Sequence, residues 1–333
     1  MKILYLPCHS VLEYDQYKLW TEMGHEVFSF DSYSNPLSPR DNKRPAIKEG
    51  KYNERMIYLN DVSTKDNMDE EMIAWADVII IDHIGRYIVS NWEKLKNKRV
   101  VWRTIGQCVT KNEEELQPYR QKGLKVVRYS PFEGNIPGFI GGDAIIRFYK
   151  DEEEFKGWLS TEQIAITFSQ NMISRGEHCR FSTFDEATFG LKCKVYGPMN
   201  QQTGGMNGGV LTYDEMKERL RTAKVYFYTG SQPASYTLNF IEAFMTGIPI
   251  VAIGPKLGNS IFKIPLYEIQ TIIENGVTGY CLDDIKELKF YTKELFNNSA
   301  LAVDISRKAR IKAIELFGKE KVKKEWFDFF KTL

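Results

Sequence analysis

The sequence of 333 residues contains few of the residues on which disulfides and metal sites depend. Its five cysteines are odd in number, widely spaced and without a C-x-x-C pair, which argues against a disulfide framework or a zinc site. Four scattered histidines argue against a histidine-based metal site. No run of 18 apolar residues and no signal peptide are found, so we expect a cytoplasmic protein.

The chain also lacks a large net charge, with 45 Lys and Arg against 44 Asp and Glu. This balance excludes the strongly basic surface of a protein that grips a long stretch of nucleic acid. The charge is uneven, however, since residues 286–333 carry 12 basic against 7 acidic side chains. Either a solvated helical face or a basic face for an anionic ligand or surface would explain that excess.

Short apolar segments alternate with longer helix-patterned stretches, which is typical of an α/β protein with parallel strands. Strands are predicted at residues 2–6, 26–30, 56–59, 77–81, 99–103 and 125–128, and in a second series at residues 163–168, 192–196, 224–228 and 249–253. Residues 149–160 contain an acidic run and no strand pattern, so they separate the two series. We therefore expect domains at residues 1–155 and 156–318, then a last helix at residues 319–333.

Helix signals are clearest in the second half. Thr212 and Glu215 form a capping-box pattern, and Asn298 or Ser299 is placed to begin a helix that Gly318 ends. The last helix carries one apolar stripe, made of Val322, Trp326, Phe329 and Phe330. Such an amphipathic helix is expected to dock on another part of the protein.

Several motifs for phosphate or nucleophile chemistry are missing. The sequence has no G-x-x-x-x-G-K-[ST] loop, no G-x-S-x-G elbow, no H-E-x-x-H helix and no D-x-D. The glycine-rich residues 204–209 lack G-x-G-x-x-G spacing, and we interpret them as a mobile loop.

The most informative segment is residues 225–252. It predicts a strand, a polar loop, a helix from about residue 237 to 246 that Gly247 ends, and another strand. The helix is apolar on nearly all sides except at Glu242. Because a buried carboxylate must be satisfied, Glu242 either makes an internal hydrogen bond or ion pair or accepts hydrogen bonds from ligand hydroxyls in a cleft.

The loop before this helix offers a second feature. The free N–H groups at a helix N-terminus bind anions, so residues 235–237 are suited to a diphosphate. A diphosphate at the loop and a hydroxylated ring at Glu242 together describe a nucleotide sugar.

These residues resemble a known family. Ala234 to Glu242, followed by A-F-M-T-G-I-P-I-V-A, resembles the E-x7-E and A-M-A-x-G-x-P-V-V-A signature of retaining GT-B glycosyltransferases of the family-4 type. Residues 211–228 and 273–280 are similar to other elements of that family, and residues 19–27 resemble the first helix and second strand of many GT-B proteins.

The resemblance implies an α/β GT-B fold of two Rossmann-like domains that face a central cleft, with the C-terminal helix crossing back to the N-terminal domain. It also implies transfer of a hexose or pentose from a nucleotide-sugar donor, bound by the C-terminal domain, to an acceptor hydroxyl held by the N-terminal domain. Retention of configuration follows from the same resemblance. No metal or other cofactor is expected, because the N–H groups at the helix N-terminus and Arg175 would stabilise the leaving diphosphate and the sequence has no D-x-D.

Individual site residues can be carried over from the family. Glu242 takes the position that binds the donor ribose. The backbone positions of the diphosphate loop are Ser235, Tyr236, Thr237 and Leu238. Arg175 matches a lysine of the diphosphate site, whereas Gln170 occupies the place of the second cation, a role that Arg180 could take.

The sequence departs from the family at three places. The first glutamate of E-x7-E is Ala234, which removes the usual hexose contact, and a mid-domain histidine is Ile105. The first loop has Pro-Cys-His-Ser instead of two glycines, so either His9 or Gln107 could contact the sugar, or His9 is structural. The candidate catalytic residues are accordingly Arg175, Glu242 and His9.

Two other functions stay open. A sugar-nucleotide epimerase or phosphorylase on the same fold would share the Glu242 and diphosphate features. Ala234, Gln170 and Ile105 together are also compatible with a catalytically silent relative that binds nucleotide or a partner. The acceptor is not indicated by the sequence: a glycan, a lipid head group, a small molecule, a protein or a nucleic-acid base flipped from its stack are all compatible.

Overall fold

The computed structural model describes residues 1–30, 53–107 and 109–333. The chain divides into two compact units. Unit 1 consists of Met1–Phe148 and Val322–Leu333, and unit 2 of Tyr149–Lys321. Each unit contains one six-stranded parallel sheet with helices, as expected for an α/β protein.

Unit 1 begins with alternating strands and helices. Its strands are β1 (Lys2–Leu6), β2 (Glu26–Ser29), β3 (Val78–Asp82), β4 (Arg99–Arg103), β5 (Lys125–Arg128) and β6 (Ala144–Ile145), and its first helices are α1 (Ser10–Glu22), α2 (Glu54–Val62), α3 (Glu70–Trp75), α4 (Gly85–Leu95) and α5 (Thr110–Arg120). The strand order is β2-β1-β3-β4-β5-β6, so the order reverses between β1 and β3.

The predicted strand at residues 56–59 is wrong, because these residues lie in α2. The Asn53 side chain accepts a hydrogen bond from the Met56 N–H and thereby caps the helix. Met56 and Leu59 are buried at helical spacing, whereas Tyr58 between them is exposed. The other nine predicted strands coincide with observed strands to within two residues.

Unit 2 repeats the alternation. Its strands are β7 (Ala165–Phe168), β8 (Cys193–Tyr196), β9 (Asn207–Gly209), β10 (Val225–Tyr228), β11 (Ile250–Ile253) and β12 (Tyr280–Leu282), and its helices are α6 (Phe181–Ala187), α7 (Tyr213–Thr222), α8 (Leu238–Thr246), α9 (Pro255–Gly258), α10 (Ile269–Ile272), α11 (Ile285–Asn297) and α12 (Ser299–Phe317). The order β9-β8-β7-β10-β11-β12 is the Rossmann order, which reverses between β7 and β10.

Burial explains why these elements were visible in the sequence. Strands β3, β10 and β11 are buried along their whole length, as parallel strands covered on both faces are. In α8 every residue from Phe240 to Thr246 is buried, and Gly247 ends the helix in the left-handed conformation with φ 81°.

Residues 204–209, which we interpreted as a loop, include β9 at the edge of the sheet. A side chain at Gly208 would place its Cβ 2.4 Å from the Tyr196 ring, so only glycine allows the two strands to pair closely. Gly208 therefore serves strand packing.

The last helix, α13 (Lys319–Phe330), belongs to unit 1 from Val322 onward. Its predicted apolar stripe is buried, and the Trp326 ring meets the Trp20 ring edge-on at 5.0 Å. Phe330 packs in the same way against His25 at 5.2 Å, and burial lowers the pKa of that histidine. Within the described ranges, no helix has the length and apolar composition needed to cross a bilayer.

Candidate functional site

The strand reversal of unit 2 brings two of the predicted segments together. Ligands of such sheets bind outside the carboxyl ends of the strands at this reversal, here beyond Phe168 of β7 and Tyr228 of β10. The start of helix α8 lies at this point. The Asn239 side-chain amide in its first turn donates to the Phe168 carbonyl oxygen at 2.7 Å. Asn239 has no counterpart in the motifs recognised in the sequence.

Thr237 precedes α8 in an extended conformation and makes no side-chain capping bond. Its hydroxyl instead donates to the Tyr228 hydroxyl at 3.1 Å. The first N–H groups of a helix have no intrahelical acceptor, and they form the positive end of the helix dipole. The start of α8 can therefore receive an anion above the carboxyl ends of β7 and β10.

Arg175 joins the two loops of this reversal. Its Nη2 donates to the Ser231 hydroxyl at 2.8 Å, which links the loop after β7 to the loop after β10. The side chain is half-buried. Since a guanidinium has five N–H donors, this one contact leaves the group able to bind a phosphate as well.

The remaining residues of the predicted diphosphate loop are mostly buried. Ser235 is fully buried, and its carbonyl oxygen accepts from the Glu268 N–H at 3.0 Å. The Tyr236 ring meets Phe317 edge-on at 5.5 Å, and Leu238 begins α8 half-buried. Ala234 is buried as well. This segment can thus offer an anion its main chain and Thr237 rather than these side chains.

Arg180 is buried and held by the segment after β11, which contains α9. Its Nε donates to the Leu257 carbonyl oxygen at 3.1 Å, and its Nη2 to the Ser260 hydroxyl at 2.5 Å. Glu177 forms an ion pair with it at 3.0 Å. The structure therefore gives Arg180 a role in holding a loop, while Gln170 is exposed. Diphosphate binding by Arg180 stays a prediction.

Gln232, which the sequence analysis did not single out, fixes the loop after β10. Its amide Nε2 donates to the Leu257 carbonyl at 3.0 Å, and its Oε1 accepts from the Ile261 N–H at 2.9 Å. The His178 ring nitrogen Nδ1 lies 3.0 Å from the Gln232 carbonyl oxygen. These contacts hold in place the loop that carries Ser231.

Glu242 has an internal partner. The Lys150 ammonium lies 2.9 Å from the Glu242 carboxylate, and the two residues are 1% and 3% exposed. The Lys150 backbone N–H donates to the Phe317 carbonyl at 3.0 Å. Of the two interpretations left open above, the internal ion pair is therefore present. Ribose binding by Glu242 stays a prediction, and Lys150 was missed because no local pattern marks it.

His9 lies in unit 1, where it caps α1. Its Nδ1 accepts from the Val11 N–H at 3.3 Å, and the residue is exposed at the carboxyl end of β1. Gln107 is exposed beyond β4 with φ 80°, and Ile105 is half-buried. The structure thus shows a capping role for His9, and its sugar contact stays a prediction.

Unit 1 also contains a buried polar cluster that sequence reasoning missed. The Tyr5 hydroxyl of β1 donates to Asp82 of β3 at 2.5 Å, and the fully buried Arg103 of β4 lies close enough to stabilise the charge of Asp82. Burial nevertheless raises the pKa of Asp82 to about 6. The cluster links the carboxyl ends of three neighbouring strands.

No group of three or more His, Cys, Asp or Glu residues that could hold a metal ion occurs in the part of the chain that the structure describes.

The sequence matches no family model. One curated relative, the poly(ribitol-phosphate) alpha-N-acetylglucosaminyltransferase of Staphylococcus aureus (strain COL), is 30% identical over 104 residues. The match covers 31% of this chain and only 19% of the length of that relative.

Solved structures match nearly the whole chain. A glycosyltransferase from Rickettsia africae has a TM-score of 0.71 at 14% identity, covering 99% of this chain and 98% of the other. Sucrose-phosphate synthase from Thermosynechococcus elongatus has a TM-score of 0.69 at 12% identity, covering 100% and 98%. HepE of Anabaena, solved with UDP-glucose, has a TM-score of 0.65 at 14% identity and full coverage of both chains. The expected fold is thereby confirmed: this chain has the GT-B fold of glycosyltransferases.

Proposed function

We propose that the protein is a cytoplasmic glycosyltransferase that moves a sugar from a nucleoside-diphosphate donor to an acceptor hydroxyl, with retention and without a metal. The observation that carries the proposal is the position of Arg175 and the α8 N-terminus at the strand reversal of unit 2. The fold shared with glycosyltransferases, one of them solved with UDP-glucose, supports a UDP-sugar as the first donor to test.

The chemistry needs stabilisation of negative charge on the leaving diphosphate. As the bond from the anomeric carbon to the phosphate oxygen breaks, charge grows on that oxygen. The acceptor oxygen bonds to the anomeric carbon from the same face, which retains the configuration, and its proton passes to the leaving phosphate oxygen. Fixed N–H dipoles and a cation aimed at the leaving group lower the energy of this transition state. The α8 N-terminus supplies the dipoles, and Arg175, already oriented by Ser231, supplies the cation.

Glu242 is proposed to bind the donor ribose while it stays paired with Lys150. An ionised carboxylate has about four lone-pair sites, so one ammonium does not use its whole capacity. Glu242 lies one helical turn after Leu238, the first residue of α8. A ribose hydroxyl bound there would adjoin a diphosphate at the helix N-terminus.

The roles of the two units follow the same scheme. Unit 2 would bind the donor, and residues of unit 1 beyond the carboxyl ends of its strands, His9 among them, would contact the acceptor or sugar. Ala234 stands where the family has a glutamate that contacts the donor sugar, so the choice of sugar is left to other residues. UDP-glucose and UDP-N-acetylglucosamine are the first conjugates to compare, since the similar proteins act on or bind such sugars.

Calorimetric titration of the purified chain tests the proposal. UDP, GDP, ADP and CMP, with their sugar conjugates, are titrated in EDTA and again with Mg²⁺. One nucleoside diphosphate is expected to bind equally in both buffers. Failure of all of them to bind would overturn the donor site, and binding only with Mg²⁺ would overturn metal independence.

Two further measurements separate the alternatives. NMR of the product of a turnover assay with candidate acceptors gives the anomeric configuration, and an inverted product would contradict retention. Incubation with donor alone distinguishes an epimerase, which converts the sugar nucleotide without an acceptor. Binding without turnover across a broad acceptor set would favour the catalytically silent relative.

A further inference from the structure

Helix α11 of unit 2 exposes a surface of unusual composition. Lys286, Lys289, Phe290 and Lys293 follow one another at spacings of three and four residues, which places them on one side of the helix. Phe290 is 58% exposed. Phe189, in the turn after α6, is 68% exposed, and the Lys289 ammonium lies 5.0 Å from its ring centre. We name these five residues the α11 face.

The three lysines of this face have no ion-pair partner among the described residues. Among the described residues, no carboxylate lies within 4 Å of any of the three ammonium groups. The neighbouring helix α12 differs, because Arg307 and Lys308 pair with Asp304 on the same helix. The carboxylates of α11 itself, Glu287 and Glu294, lie on the flank of the helix beyond Phe290.

Single exposed apolar residues are common on soluble proteins and need no explanation. Here two phenylalanine rings flank a row of three ammonium groups that have no carboxylate partner among the described residues. A partner that satisfies both features must offer dense negative charge at its surface and an apolar layer directly beneath it. The headgroup region of an anionic bilayer has this layering, since it attracts lysines and accepts aromatic rings at the acyl boundary.

We propose that the α11 face binds the surface of an anionic lipid bilayer and attaches the protein peripherally to it. In this arrangement Phe189 and Phe290 enter the headgroup region, while Lys286, Lys289 and Lys293 contact lipid phosphates. Its three lysines are among the 12 basic residues of the segment 286–333 and supply part of the basic excess found there.

A nucleic acid would present similar charge, but the chemistry of the face favours lipid. All three cations are lysines, which act as point charges and lack the planar fork with which arginine binds phosphates and bases. The Phe189 ring is already covered by Lys289, so that face of the ring cannot stack on a base.

Vesicle flotation of the full chain, without any sugar nucleotide, tests the proposal. The protein is expected to float with vesicles of phosphatidylcholine containing 30 mol% phosphatidylglycerol and to stay unbound with phosphatidylcholine alone. Each lysine near an anionic surface contributes roughly fivefold in affinity. The K286E/K289E/K293E variant should therefore bind at least about 100-fold more weakly, and F189S/F290S should also lose binding.

Unit 1 offers a matched control. Phe327 on α13 is 53% exposed, and the Lys331 ammonium lies 3.9 Å from its ring centre, so F327S/K331E removes the same chemistry elsewhere. That variant should bind the anionic vesicles as the unchanged protein does. Circular dichroism and thermal midpoints verify folding, and the single variant F290S replaces the double variant if the latter unfolds.

Two results would overturn the proposal. The first is equal binding to both vesicle types, or anionic-vesicle binding that the two α11-face variants do not reduce. The second comes from a parallel titration with a fluorescent 20-nucleotide oligothymidine: if the variants lose only this binding and keep vesicle binding, the face serves nucleic acid instead. Because sugar nucleotides are absent, neither result depends on the glycosyltransferase assignment.

Discussion

Lys150 and Glu242 form an ion pair inside unit 2, with Nζ 2.9 Å from Oε1 and both side chains almost fully buried. Lys150 is the second residue of the unit, whereas Glu242 lies in the central helix α8. The Lys150 backbone is held by Phe317 at the end of α12. The pair thus joins the start of unit 2 to the helix on which the proposed donor site depends.

Loss of one partner of this pair is expected to destabilise the protein strongly. E242L or K150M leaves an uncompensated buried charge, which costs about 3–5 kcal/mol. The double variant K150M/E242L removes both charges and should recover most of that free energy of unfolding, measured by urea titration at pH 7.

The same double variant tests the ribose role of Glu242. Even if K150M/E242L folds normally, its affinity for UDP should be at least about tenfold lower than that of the unchanged protein, because the ribose hydroxyls lose their charged acceptor. If UDP affinity returns together with stability, Glu242 is a structural residue and has no ribose contact.

Arg175 is expected to govern affinity for the diphosphate. R175A should raise the dissociation constant of UDP about tenfold or more, since a hydrogen bond to a charged group contributes about 1.5–3 kcal/mol. S231A should have a smaller effect, because Ser231 only orients the guanidinium. The control is R86A, which removes an exposed arginine paired with Asp66 in unit 1. Equal affinities of R175A and R86A for UDP would remove Arg175 from the site.

Asp82 is expected to make stability depend on pH. Its pKa of about 6 in the folded protein is above the usual 3.8, so the folded state binds more protons than the unfolded state between these values. The stability that Asp82 contributes is therefore complete below about pH 4 and is lost as pH rises to about 6. The loss amounts to about 3 kcal/mol at 1.36 kcal/mol per pKa unit.

Urea unfolding of the unchanged protein and of D82N at pH 4, 5, 6 and 7 measures this effect. Asparagine can still accept from the Tyr5 hydroxyl but does not titrate. As pH rises from 4 to 6, the unchanged protein should lose free energy of unfolding that D82N does not lose. The difference between the two proteins should therefore shift in favour of D82N. A constant difference across the four pH values would contradict the raised pKa.

Gly208 is expected to tolerate no side chain. G208A would bring a Cβ to 2.4 Å from the Tyr196 ring, and overpacking of this kind costs about 1–3 kcal/mol. Gly205 nearby has nothing within 4 Å of an added Cβ, so G205A should change stability by less than about 0.5 kcal/mol. Thermal unfolding compares the two, and equal midpoints would show that β9 is free to shift away from β8.

Elements whose signals are local were predictable. Helix α12 begins after Asn298, whose side chain accepts from the Leu301 N–H at 3.1 Å, and α8 ends at a left-handed Gly247. Parallel strands such as β3 are buried on both faces and therefore appear as continuous apolar runs. The four residues of the predicted strand at residues 56–59 were too few to distinguish a helical from an alternating pattern.

The site was predictable only in part, for a related reason. The start of α8, which we propose binds an anion, lies in one contiguous segment, but the partners of the neighbouring site residues come from distant positions. Lys150 reaches Glu242, and Leu257 and Ser260 reach Arg180, only after the chain has folded. A capping contact such as that of His9 involves atoms two residues apart, yet histidine is not among the residue types usually expected to cap a helix.

The membership of α13 in unit 1 has a consequence for biosynthesis. Trp20 and Trp326 share one core although nearly the whole chain lies between them. A ribosome releases all of unit 2 before it releases the helix that completes unit 1. Unit 2 can thus acquire its core during translation, whereas the first-made part of unit 1 must wait, with its binding surface for α13 open to chaperones, until α13 has left the ribosome.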